Sequence, residues 1–178
     1  MTFTSRLSLL LIPALCLASC ASAPKVTRTP VAGGEAVSIP GRGITLMLPS
    51  GWQVLPKAPK NTLFLAGADN GNLRFAFISP PGRPKGRISV TDPRFQQRVK
   101  AALQASDYTR ITRSEVMQLN GCKAYVCAAS VGSTAESTLQ AHLFHQGKGL
   151  LLAFFSTQQP ITQVASVQAI LKSLRLTP

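Results

Sequence analysis

Asn120-Gly121 divides two apolar-rich stretches, Arg110 to Leu119 and Cys122 to Val131. An Asn-Gly pair tolerates the positive backbone angles of a two-residue turn, so this arrangement predicts a β-hairpin. Two further segments point the same way. Gln146-Gly147-Lys148-Gly149 separates Thr138 to His145 from Leu150 to Ser156, and Asp69-Asn70-Gly71 precedes Leu73 to Ser79. In that last run Leu73, Phe75 and Phe77 share one face of a strand, with Arg74, Ala76 and Ile78 on the other. Upstream, Ile44, Leu46 and Leu48 alternate with Thr45 and Met47, and Pro49-Ser50-Gly51 breaks the pattern. Short apolar runs resume at Trp52 to Leu55 and Asn61 to Ala66.

Two helices interrupt the strands. Asp92 or Thr91 is the N-cap of the first, with Pro93 in its opening turn. Phe95, Val99, Ala102 and Leu103 make its apolar stripe, which leaves Arg94, Arg98 and Lys100 toward solvent. Pro160 opens the second, whose stripe is Val164, Val167, Ile170, Leu171 and Leu174. Lys172 and Arg175 near its end suit the helix dipole. Strands joined by tight turns, with two helices among them, predict an α+β fold: an antiparallel sheet with helices packed on it.

The N-terminus places the domain. Arg6 precedes an apolar run from Leu7 to Ala18. As a helix that run is about 18 Å long, at ~1.5 Å per residue, which is too short for a span of ~20 residues. It has the form of a secretory signal. Leu17-Ala18-Ser19-Cys20 then resembles the lipobox of bacterial lipoproteins. The resemblance implies cleavage before Cys20, diacylglycerol on its thiol and an acylated amine. Ala21, in place of Asp, implies sorting to the outer membrane, on its periplasmic side. A conventional signal peptide that happens to contain a cysteine is the alternative.

On this reading residues 1–19 are the signal peptide and residues 20–43 the lipidated cysteine and a tether rich in proline and glycine. Residues 44–178 form one globular domain. Twenty residues of tether would span about 25 Å as a coil and about 65 Å pulled straight.

Cleavage would leave 18 Lys and Arg against 6 Asp and Glu, a formal charge of +12. An exported chain meets no nucleic acid in normal work. The available anions are lipid phosphates, lipopolysaccharide and wall carboxylates. The charge draws the domain to such a surface or simply keeps it soluble. Cys122 and Cys127 remain as thiols. On a strand an offset of five sends them to opposite faces, about 16 Å apart at ~3.3 Å per residue. A disulfide needs Cα atoms within about 7 Å. The compartment favours pairing and the geometry opposes it.

The globular part resembles the PsbP-like/DcrB family. ITLMLPSGW (Ile44 to Trp52), Asn120-Gly121 before a strand, and the closing AILKSLRL (Ala169 to Leu176) carry the resemblance. It implies an α/β/α sandwich around an antiparallel sheet, and a domain that docks on other proteins rather than an enzyme.

The chain carries no recognised catalytic motif, metal site or cofactor cradle. His142 and His145 have H-x-x-H spacing, but a strand sends them to opposite faces. Cys127 with His142 remains conceivable as a nucleophile pair that only the fold would unite. Trp52 reads as a core anchor. The binding candidates are basic: Arg83, Lys85 and Arg87 in SPPGRPKGR, extended by Arg94 and Arg98 on the following helix. They suit an anionic envelope partner or a phosphate-bearing lipid; a solvated loop is the plain alternative. The expected function is a non-catalytic, membrane-anchored envelope lipoprotein that binds a protein or an anionic component. A small Cys/His hydrolase or transferase and a purely structural lipoprotein are the alternatives.

Overall fold

The computed structural model describes residues 26–56, 61–80 and 88–177. Asn120 (φ 47°) and Gly121 (φ 89°) both adopt positive φ, and close the hairpin of β7 (Arg110–Leu119) and β8 (Cys122–Ser130). β9 (Ser137–His145) and β10 (Lys148–Ser156) form the next hairpin. β5 (Thr62–Ala68) and β6 (Leu73–Ile78) join across Asp69-Asn70-Gly71. With the short β4 (Gln53–Val54) these strands make one antiparallel sheet, in the order β4-β5-β6-β10-β9-β8-β7.

A second sheet covers one face of the first. It contains β1 (Thr27–Val31), β2 (Gly34–Ile39), β3 (Ile44–Pro49) and β11 (Arg175–Leu176), in the order β1-β2-β3-β11. The chain passes between sheets at Pro49-Ser50-Gly51, where Gly51 takes φ 88° and the Trp52 amide donates to the Pro49 carbonyl across 3.2 Å. α2 (Ala165–Ser173) lies beside β3. Ser173 Oγ accepts from the Met47 amide at 2.8 Å, so the helix continues the layer that β3 begins.

The fold is therefore mainly β, a sandwich of two antiparallel sheets. The expected α/β/α sandwich does not form, and neither does the single sheet clothed by helices. Residues 27–39, expected in the tether, supply the hairpin that β3 needs as a neighbour, and so a sheet rather than a helical layer covers the large sheet. The last helix also begins later than Pro160, after a 3-10 turn at Ile161–Gln163.

Alternation explains the core. Ala124, Val126 and Ala128 of β8 face the small sheet, among Leu46, Leu48, Phe75, Phe154, Ile170 and Leu171. Phe75 stacks on Phe154 at 4.4 Å and meets the edge of Phe64 at 5.2 Å. Burying each such ring stabilises by roughly 2 kcal/mol. Trp52 is in this core. Tyr125, Cys127 and Ala129 face the other way, under α1 (Pro93–Gln104). The small sheet and α1 thus lie on opposite sides of the large sheet.

Of the four edge strands, β1, β11, β4 and β7, the two long ones are interrupted. β1 contains Pro30, which has no amide proton to offer. β7 has an irregular register between Ile111 and Arg113, and its Arg113 pairs with Glu115 on the same strand.

Candidate functional site

α1 is built outward from its cap. The Asp92 carboxylate accepts from the Arg94 amide at 2.8 Å, and Pro93 fills the first turn, where no amide proton is needed. Gln96 Nε2 donates to the Val90 carbonyl at 2.9 Å, which fixes the entering chain. Val99 and Leu103 are buried against the large sheet. The Phe95 ring meets Tyr125, His142 and Phe144 at 6.4, 5.8 and 5.7 Å. One face of the helix is thereby committed to the core.

The opposite face carries the binding candidates. Arg94, Gln97, Arg98 and Ala101 line an open depression with Asp92. Arg98 Nε donates to the Arg94 carbonyl at 3.3 Å, which stacks the two arginines along one side of the helix. Among the described residues the ion pairs are Arg28–Glu35 and Arg113–Glu115. Neither arginine of α1 has a carboxylate partner among them, and the nearest acid, Asp92, is occupied as the cap. Arg83, Lys85, Arg87 and Cys20 lie outside the described residues.

Cys127 and His142 do come to one face. Tyr125 is opposite His142 and Cys127 opposite Gln140 across β8 and β9, so thiol and imidazole are diagonal neighbours beneath α1. Their chemistry is quiet. Burial pushes the Cys127 thiol up, against the opposing pull of Tyr125 and Lys100. Burial pushes His142 down to about 4, and its Nε2–H donates to Gln140 Oε1 at 3.0 Å. A protonated thiol and a neutral, covered imidazole supply nothing that a thiolate nucleophile needs. Tyr125 Oη and Ser114 Oγ hydrogen-bond at 2.9 Å and complete a polar cluster that strand register assembles and no local motif announces.

His145 shares the parity of Ala141 and Leu143 and points to the other face, away from His142. Cys122 and Cys127 are both free thiols, on opposite faces of β8. Among the described residues no three His, Cys, Asp or Glu side chains gather as metal ligands, and no helix is long and apolar enough to cross a membrane.

No family model matches the chain, so the PsbP-like/DcrB resemblance has no counterpart there, and no curated protein matches it. Solved structures do, in 19 chains. A protein of Bacteroides thetaiotaomicron VPI-5482 is 9% identical over 76% of this chain, with a TM-score of 0.48, and this chain spans 46% of that one. LpqN of Mycobacterium tuberculosis, described as involved in cell envelope biogenesis, is 15% identical over 86% of this chain and 92% of its own, with a TM-score of 0.45. Likeness at this level carries no function across.

Proposed function

We propose that this chain is an envelope lipoprotein, anchored by lipid on Cys20, whose non-catalytic domain captures an anionic protein or wall component through the basic face of α1. The observation that carries the reading is the exposed Arg94 and Arg98 pair, aligned on one helix side with no acidic partner among the described residues. Arg83, Lys85 and Arg87 adjoin it in sequence and add charge of the same sign. Uncompensated arginines on a helix held rigidly by its other face make a pre-oriented surface for carboxylate or phosphate. The formal +12 of the processed chain favours encounter with any such surface. The lipobox supplies the anchor, and Ala21 after the cysteine supports the outer membrane as its destination.

The test uses two defined probes, purified peptidoglycan sacculi and phosphatidylglycerol vesicles. Arg94→Ser with Arg98→Ser is expected to weaken binding to at least one of them several-fold and to flatten its salt dependence. Unchanged binding and unchanged salt dependence on both probes would overturn the role of α1.

A further inference from the structure

The small sheet has one face in the core and one outside. Register defines the outer face. Thr27 pairs with Ser38, and Ser38 with Thr45; Thr29 pairs with Ala36, and Ala36 with Met47. Val31, opposite Gly34, extends the face toward the turn. These side chains are small, hydroxylic or apolar. Arg175, opposite Thr45, is the one charged residue in these outward registers. Elsewhere the molecule is rich in cations, so a sheet face with its single charge at the β11 margin, and none on β1, β2 or β3, is a departure from its own composition. Among the described residues the large hydrophobics left exposed are Val31, Met47 and Val116, at 39, 36 and 37%. Two of those three stand on this face.

The length of chain before the sheet says what covers it. β1 begins at Thr27, seven residues after Cys20. Seven residues reach at most about 25 Å fully extended and about 15 Å as a coil. The leash is thus much shorter than a tether running to residue 43. A lipid on Cys20 holds the start of β1 within that distance of the headgroups. The large sheet closes the inner face at β2 and β3, and the Arg28–Glu35 pair occupies the exposed margin of β1, so the uncharged free surface next to the anchor is the outer face.

We infer that the outer face of β1-β2-β3 rests on the phospholipid bilayer to which Cys20 is anchored. This rests on the lipidation stated above. The outward registers of β1, β2 and β3 carry no charge, so contact there strips no ion of its water, a loss that would be costly. The hydroxyls of Thr27, Thr29, Ser38 and Thr45 can hydrogen-bond headgroup oxygens, while Val31 and Met47 enter the interface. The layers then fix the rest of the molecule. The large sheet lies about 10 Å above the small one, and α1 lies beyond it. Arg94 and Arg98 face the compartment, so their anionic partner approaches from the side away from the anchoring membrane.

The experiment uses the processed, full chain reconstituted in phosphatidylethanolamine/phosphatidylglycerol vesicles. Environment-sensitive fluorophores are placed by Thr29→Cys, Met47→Cys or Gln97→Cys in a Cys122→Ser background. Spin-labelled lipids then quench them. Quenching at positions 29 and 47 is expected to exceed that at 97 several-fold. Equal quenching at all three overturns the placement, as does protection of 29 and 47 from water with no lipid quenching and with 47-to-47 crosslinks, which marks contact between copies. Mass analysis of the N-terminal peptide separates the two readings. An unmodified Cys20 removes the anchor and this inference with it; a lipidated Cys20 with unquenched labels at 29 and 47 removes this inference alone.

Discussion

Asn120 Nδ2 donates to the Lys172 carbonyl at 2.7 Å, and the same amide group reaches the Leu174 carbonyl. The turn that closes the β7–β8 hairpin therefore also satisfies the end of α2, where helix carbonyls lack partners of their own. Asn120→Gly keeps the left-handed backbone and removes only the side chain. It should cost about 1–3 kcal/mol, read as a lower midpoint in urea. Asn120→Asp should cost at least as much, because it puts a negative charge at the negative end of the helix dipole. A variant as stable as the parent would show that this tie carries no weight.

Gly34 faces the backbone of β3 so closely that a Cβ would fall 1.9 Å from the Leu48 carbonyl oxygen. Gly34→Ala must push β2 away from β3. A loss of roughly 2–4 kcal/mol is expected, with faster amide exchange in residues 34–39 than in β8. Exchange unchanged in β2 would contradict the packing described.

His142 should make the domain sensitive to acid. Its pKa is lowered to about 4 by burial, whereas an unfolded histidine titrates near 6.5. Above pH 6.5 both states are neutral and stability is full. Between about 6.5 and 4 the unfolded chain takes up a proton that the folded chain refuses, so stability falls with pH. The full loss is about 3 kcal/mol, at 1.36 kcal/mol per unit. His142→Phe should flatten that part of the profile; urea midpoints at pH 7.5 and 4.5 for both proteins decide it.

The two thiols should differ in rate and stay unpaired. Cys127 is fully buried under α1, and Cys122 is partly open. Burial raises both pKa values, so both react as poor nucleophiles. Thiol labelling of the native domain should be slow at Cys122 and slower at Cys127, with both rates rising in urea. A non-reducing mass short by two hydrogen atoms would mean a disulfide and would refute opposite placement on β8.

Local turn chemistry made most of the large sheet readable. Asn-Gly, Asp-Asn-Gly and the glycine-rich turn before Leu150 each fixed a hairpin, and Asp92-Pro93 fixed the start of α1. The same helical periodicity located Arg94 and Arg98 on the solvent side. The first hairpin was hidden because Pro30 and Gly33-Gly34 look like linker. In the fold Pro30 sits on an edge that asks no donor of it, and Gly34 is required by the closeness of Leu48. β4 and β11 have two residues each and exist only because a neighbouring strand pairs with them. The uncharged outer face was equally invisible, since it appears only once β1, β2 and β3 are set in register. The Cys127–His142–Tyr125 cluster likewise depends on the pairing of β8 with β9.

The guarded edges matter most when copies crowd. Molecules confined to a plane meet side by side far more often than in solution, and always in similar orientation. Open β-edges under those conditions would template one another into ribbons. Pro30 on β1, the register shift with the Arg113–Glu115 pair on β7, and the two-residue lengths of β4 and β11 each deny a neighbour a long continuous ladder to extend. Were lipid on Cys20 to hold the domain at a membrane as proposed, a dense two-dimensional carpet of it would thus remain a population of separate molecules.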